Sequence, residues 1–274
     1  MNKMSLEKFK NELDQVRKYL QNIEYVNNLV NYLSNEPEQN LFINLQELER
    51  LKEYYKNFST HKKIFEYKAA IISLYGLLEK YIETWIKDYL DSISTLTSKY
   101  SEIDKKITEN HFDQSLKLIN TISDRELPKY QHLTKEQVLI RLNQCITDTE
   151  DYSFNTEAFV ISSGNLKHKQ IAKLFQLINV ELNGLLSKNE TLFGHNNDEI
   201  QTQSIKIVEP DILYGIINDL VERRNEIAHG SEVANILSKS ELEPFINFLE
   251  KYCQAIFEIL TEQLIKKNYI SFKK

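Results

Sequence analysis

Apolar residues recur at three- and four-residue steps along most of this chain, the spacing that sets one face of a helix against a core. From Met4 to Leu33 the positions are Leu6, Phe9, Leu13, Val16, Leu20, Ile23, Val26 and Val30. They predict one long amphipathic helix, ended by Asn35-Glu36-Pro37. It is either a packing helix or a coiled-coil arm for a partner or a second copy. A second helix is expected over Leu41–Phe58, with Leu45, Leu48, Leu51, Tyr55 and Phe58 inward, and Ser59-Thr60 separates it from a third over Ile64–Leu90. That third helix carries two parallel stripes. One runs Ile64, Lys68, Ile71, Tyr75, Leu78, Ile82, Trp85 and Tyr89, the other Tyr67, Ala70, Leu74, Leu77, Tyr81 and Ile86. A helix apolar around so much of its circumference belongs at the centre of a bundle. Glu79 and Glu83 lie among these residues, either at the solvent edge or paired with a buried arginine.

Leu90–Thr134 is the least regular stretch, rich in Ser, Thr, Asp and Lys, with a short helix expected at His111–Ile122 and a break at Pro128. It reads as an insertion between core helices. Thr134 and Gln137 form a capping box that opens a helix to about Ile146. Asp148–Asn155 is a polar loop, Phe159-Val160-Ile161 a short extended piece or turn, and Ser163-Gly164-Asn165 a turn. Asn165–Glu181 returns to helical spacing, with Lys167, His168, Lys169 and Lys173 clustered at its start. That cluster is either a solvated helix end or a phosphate-binding edge. Lys188–Ile205 reads as loop, Glu209–His229 as helix, and Ser238 with Glu241 caps a last long helix to about Lys266.

Composition sharpens this into an all-α fold. Only 6 glycines and 4 prolines punctuate 274 residues, and helix formers dominate. The net charge of -6 argues against sequence-blind coating of nucleic acid while leaving room for a small cationic site. Cys145 and Cys253 each sit in a helical pattern and read as buried thiols, which with the absence of a signal-peptide core or a membrane-length apolar run gives a cytoplasmic expectation and no membrane partner. No phosphate-binding glycine loop, zinc spacing or serine-hydrolase elbow appears, so no metal and no cofactor is expected. His195 with Asp198 and Glu199 reads as exposed loop rather than a metal site.

The chemistry concentrates in Glu222-Arg223-Arg224-Asn225-Glu226-Ile227-Ala228-His229-Gly230. The apolar stripe Ile212, Leu213, Ile216, Ile217, Leu220 reaches Arg224 where a core leucine is due. A charge there is costly unless paired. Asn225 and His229 are four apart and share a helix face, and Gly230 is suited to a left-handed stop. Histidine transfers protons near neutral pH, and arginine stabilises charge on a phosphate. Those two roles suffice for RNA cleavage by the ribose 2′-hydroxyl. One histidine serves poorly as both acid and base, and a two-fold dimer at this helix end supplies the second. The plainer alternative is that Arg224 pairs with a buried Glu and His229 caps the helix.

Leu220 to Gly230 resembles the signature of the HEPN superfamily, an arginine, four to six residues and a histidine, which Arg224 fits with four between and Arg223 with five. The Asn after the Arg and the Ile-Ala-His-Gly ending resemble the RiboL-PSP-HEPN-like branch of bacterial defence and toxin proteins, as do Leu74–Tyr89 with Trp85 and Asn165–Val180. The resemblance covers roughly Lys63–Lys267 and leaves out the first ~60 residues and Leu90–Thr134. It implies a HEPN-type bundle of long antiparallel helices over 61–274, with an insertion at about 91–134 and an N-terminal helical extension over 1–60. It implies a dimer and a metal-independent endoribonuclease leaving a 2′,3′-cyclic phosphate. Arg224 and His229 carry over as catalytic and Asn225 as their polar support, with Arg223, Glu226, Glu79 and Glu83 as supporting candidates and Lys167, Lys169 and Lys173 toward RNA. The expected partners are RNA, a second copy through the Arg224–His229 helix end, and an antitoxin or ATPase neighbour. The rival expectation is a non-catalytic helical adaptor in the same kind of system.

Overall fold

The computed structural model describes residues 1–35, 45–124, 128–161, 165–189, 192, 214–230 and 237–271. Eight α-helices and no strand are found among them. They are α1 (Lys3–Asn35), α2 (Leu45–Leu96), α3 (Lys105–Asp124), α4 (Lys135–Ile146), α5 (His168–Leu177), α6 (Leu182–Leu186), α7 (Gly215–Ala228) and α8 (Lys239–Ile265). No helix among the described residues is long and apolar enough to cross a membrane.

α2 is one helix of 52 residues, where two were expected. Neither Gly nor Pro lies near Ser59-Thr60, so nothing there costs more than a few tenths of a kcal/mol of helix propensity. The expected start at Leu41 and the side chains of Leu45, Leu48, Leu51, Tyr55 and Phe58 lie outside the described residues. Both stripes of the central segment are buried, from Tyr67 and Ile71 through Tyr81, Trp85 and Tyr89, and α1, α7 and α8 all pack on them.

α1 packs against α2 and α8 rather than extending as a free arm. Phe9 meets Tyr81 at 5.2 Å and Trp85 at 5.7 Å, both edge to face, and Trp85 meets Phe257 of α8 at 5.8 Å. The Trp85 indole N–H donates to Ser5 Oγ at 3.2 Å. Ion pairs rim this contact, Lys80 with Glu12 at 2.7 Å and Arg17 with Glu250 at 2.5 Å.

The Leu90–Thr134 stretch is more regular than its composition suggests. α3 spans 20 residues and starts at Lys105, not His111. Asp104 accepts from the Lys106 N–H at 2.9 Å and caps it. The buried stripe of α3 is Ile107, His111, Ser115 and Leu118, and the two polar members hide its period. His111 is fully buried and satisfied. Its Nε2 accepts from the Asn155 N–H at 3.0 Å and its Nδ1 meets the Tyr100 hydroxyl at 2.9 Å. Tyr100 donates onward to the Thr108 carbonyl. Tyr152, Phe154 and Phe159 close around this pair, so α3 is fastened to the core rather than hung from it. α4 opens with the expected Thr134–Gln137 capping box. Residues Thr156–Val160 form a 3-10 turn instead of an extended piece.

α8 runs Lys239–Ile265, with the Glu241 carboxylate accepting from the Ser238 N–H at 2.8 Å. The expected helix from Glu209 is described only from Gly215 onward, and Glu209–Leu213, His195, Asp198, Glu199 and the Ser163-Gly164 turn lie outside the described residues.

Burial holds the His111 imidazole neutral, with its pKa pushed down from 6.5 to about 3. Between those values the unfolded chain binds a proton that the folded chain refuses. Stability is therefore complete above pH 6.5 and falls with falling pH toward 3, by about 1.4 kcal/mol per pH unit from this residue. Urea unfolding at pH 7, 6 and 5 checks this, and a His111→Gln variant is expected to show a shallower pH slope than the wild type.

Candidate functional site

α7 buries Ile217, Leu220 and Val221 against the bundle. The next turn carries Arg223 and Arg224, both partly buried. Consecutive residues on a helix diverge by about 100°, so the two arginines reach different surroundings. Arg223 Nε donates to Asp219 at 2.9 Å, one turn back, and Nη1 donates to the Tyr67 hydroxyl at 3.0 Å. Its guanidinium also lies 6.0 Å from the Phe245 ring centre. Arg223 thus ties α7 to α2 and α8 with its charge neutralised.

Arg224 is held differently. Its guanidinium stacks over the Tyr75 ring at 4.9 Å. Nη1 donates to the side-chain Oδ1 of Asn225 at 3.2 Å and to Oδ1 of Asn165 at 3.4 Å. Both bonds use Nη1, and among the described residues no carboxylate pairs with this arginine. The expected ion pair between an α7 arginine and Glu79 or Glu83 is therefore not made. Arg223 takes Asp219 from its own helix, and Glu83 pairs with Lys129 at 2.5 Å. Glu79 stays half-buried near Arg224. Burial, and then Glu83, raise its pKa, while Lys129 and Arg224 oppose the rise.

Asn165 reaches Arg224 because residues 165–168 form a strap clamped at both ends. The Leu166 N–H donates to the Tyr75 hydroxyl at 3.3 Å, and the His168 N–H to Asn218 of α7 at 3.1 Å. Lys167 pairs with Glu222 at 2.8 Å across the same gap. His168 leaves the basic cluster in which its neighbours placed it. It is buried, stacked on Tyr214 at 3.5 Å, with Nδ1 on the Tyr252 hydroxyl and Nε2 on Asn183, each at 2.8 Å. Lys169 and Lys173 are exposed on α5. Of the expected basic edge, only Lys167 is drawn to the arginine helix, and there it meets a carboxylate.

His229 closes α7. Its N–H donates to the Asn225 carbonyl at 2.9 Å, and Gly230 follows with φ 71° and an N–H bond to Ile227. The left-handed stop is the one anticipated. The imidazole is exposed and bonds neither Arg224 nor Asn225, and Glu226 is exposed beside it. Arg224 and Asn225 come together, whereas His229 stands apart at the tip. Tyr75, Asn165 and Asn218 are site residues that spacing did not single out. Tyr75 reads as one more core aromatic and Asn165 as a turn.

The arrangement offers an anion a guanidinium whose Nε and Nη2 edge carries no bond among the described residues. That edge is the one that grips phosphate by a bidentate fork. Removing each arginine separates their roles. Arg223→Ala is expected to cost on the order of 2 kcal/mol in urea unfolding, because Asp219 and Tyr67 lose a partly buried charged partner. Arg224→Ala is expected to cost no more than about 1 kcal/mol, the worth of a surface cation–π contact.

A family model described as RiboL-PSP-HEPN matches residues 39–262. The match takes in Tyr75, Asn165 and Arg224–Gly230, and it spans the Leu90–Thr134 stretch as well. No curated protein and no solved structure matches the chain. With most of its length under one family model and an all-helical fold to go with it, the chain belongs to the RiboL-PSP-HEPN family of HEPN-type domains.

Proposed function

We propose that this protein is a metal-independent endoribonuclease acting as a toxin or antiviral effector, with a site completed by a second copy. The observation that carries the reading is the contrast between the two arginines. Arg223 is neutralised by Asp219, whereas Arg224 is oriented by two amide carbonyls and an aromatic face that leave its charge uncompensated. Charge that is held and unpaired suits a phosphorane-like transition state.

In the proposed step the ribose 2′-oxygen attacks the adjacent phosphorus, and the bond from phosphorus to the 5′-oxygen breaks. A base takes the 2′-hydroxyl proton and an acid delivers one to the leaving 5′-oxygen. The products are a 2′,3′-cyclic phosphate and a 5′-hydroxyl, with no net redox change. Arg224 binds the non-bridging oxygens, and Asn225 keeps its guanidinium turned toward them. His229 serves as acid or base, and the second copy's His229 takes the other role. Lys169 and Lys173 contribute long-range attraction for the RNA backbone. A toxin of this kind, working in the cytoplasm, calls for a restraining antitoxin or an ATPase partner.

Cleavage of single-stranded RNA in EDTA, followed by end-group analysis, tests this. Wild type is expected to leave 2′,3′-cyclic ends, and Arg224→Ala and His229→Ala to lose at least about a hundredfold in rate. Undiminished cleavage by both variants sinks the assignment. A wild type that cleaves nothing but binds a protein partner stoichiometrically supports the adaptor reading instead.

A further inference from the structure

The three backbone N–H groups that follow Asn165 are all committed. Leu166 donates to the Tyr75 hydroxyl of α2 at 3.3 Å, Lys167 to the Asn165 main-chain carbonyl at 2.9 Å, and His168 to Oδ1 of Asn218 on α7 at 3.1 Å. The His168 N–H is the first orphan donor of α5. Lys167, which precedes the helix, gives it no side-chain cap, and α7 supplies the acceptor. Side chains keep the strap from sliding between these bonds. Leu166 is buried, and the His168 imidazole is held at both nitrogens. Asn183 Oδ1 only accepts, so Nε2 carries the proton and Nδ1 accepts from the buried Tyr252 hydroxyl.

We propose that the Tyr75 hydroxyl and Asn218 are positioning residues for Arg224, acting through the strap and the Asn165 side chain it carries. The proposal rests on the ribonuclease reading and names groups on which the rate of that reaction depends. Neither the hydroxyl nor Asn218 bonds the guanidinium. Tyr75 instead holds Arg224 by two routes. Its ring lies 4.9 Å beneath the guanidinium, and its hydroxyl fixes the backbone next to Asn165. Asn218 precedes Arg224 by six residues on α7, so the helix that carries the arginine also anchors the strap that orients it. The contacts close a ring from α7 through Arg224, Asn165 and the strap back to Asn218. Its weakest link is the Asn165 bond at 3.4 Å, at the long end of hydrogen-bond distances. A strap released at either anchor lets that link open first, and a charge that drifts from its working geometry loses much of its effect on rate.

Two readouts on the full chain test it. Tyr75→Phe keeps the ring and removes the hydroxyl, and Asn218→Ala removes the acceptor. Each is expected to keep the helical circular dichroism and to lose about tenfold in kcat for RNA cleavage, with KM within about twofold of the wild type. Asn218→Asp, which keeps an acceptor for the His168 N–H, is expected to hold kcat within about threefold of the wild type. Asn165→Ala loses as much by itself, and adding Asn218→Ala to it costs little more, because both cut the same link. The second readout needs no cleavage. The Arg224 Nε–H resonance, assigned by its loss in Arg224→Lys, is expected to stand apart from those of exposed arginines and to move toward them in Tyr75→Phe and Asn218→Ala. A resonance unchanged in both variants overturns the proposal. So do losses from Asn218→Ala and Asn165→Ala that add in full, which make Asn218 a structural residue. A wild type that cleaves nothing while the resonance responds as expected ends the ribonuclease reading alone, and an active enzyme whose kcat and resonance ignore both variants ends this one.

Discussion

Burial of α2 is shared by nearly every other part of the molecule. α1, α7, α8 and the Thr156–Val160 turn each place apolar surface on it. Large side chains buried there, such as Trp85 and Tyr81, each contribute roughly 1.5–3 kcal/mol by leaving water. Because the helix is continuous, those contacts share one register. Tyr67 and Tyr75 are spaced about two turns, or ~12 Å, apart on α2 and project to similar sides. Arg223 reaches the first and Arg224 the second. The crossing of α7 over α2 thus splays two adjacent arginines along the axis of their neighbour. A break at Ser59-Thr60 would still leave both tyrosines on one rigid rod, whereas a break between them would disconnect the structural arginine from the available one.

The difference between the two arginines is a difference between carboxylate and amide partners. Asp219 gives Arg223 a charged hydrogen bond, strong and self-cancelling. Asn165 and Asn225 give Arg224 oxygen acceptors of the same shape with no charge. An aspartate at either position would hold the guanidinium more tightly and leave it less able to hold anything else. Glu79 lies near Arg224 without bonding it; burial, and then Glu83, raise its pKa, and Lys129 and Arg224 oppose the rise. The hydrogen bonds of Arg224 therefore orient the charge without giving it a carboxylate partner among the described residues.

The long helices were legible because their buried faces keep an unbroken period. The Met4–Leu33 stripe, the Thr134–Gln137 box and the Ser238–Glu241 pair each predict an element the structure contains. α3 was only half legible, since a buried histidine and serine occupy its stripe and are satisfied by residues some 40 positions away. No local pattern reveals an acceptor supplied at that distance. The same holds at the site. Arg224, Asn225 and Gly230 announce themselves in nine residues. Tyr75 and Asn165 matter only through the strap, whose bonds to α2 and α7 join segments 91 and 50 residues apart, respectively. His168 looked cationic among lysines and is instead a core residue, because helical spacing turns it inward while Lys169 turns out.

In the proposed reaction, the placement of His229 leaves one proton carrier to be found elsewhere. Gly230 adopts a left-handed turn directly after it, so α7 ends there and the imidazole projects from an exposed tip. Arg224 sits one turn earlier in a recess between Tyr75 and the strap. A phosphate gripped in that recess needs a proton acceptor on one side and a donor on the other, along the line of bond making and breaking. One exposed imidazole occupies one of those positions at a time. The opposite side of the recess is bounded by α2, where Phe65 and Ile72 stand exposed.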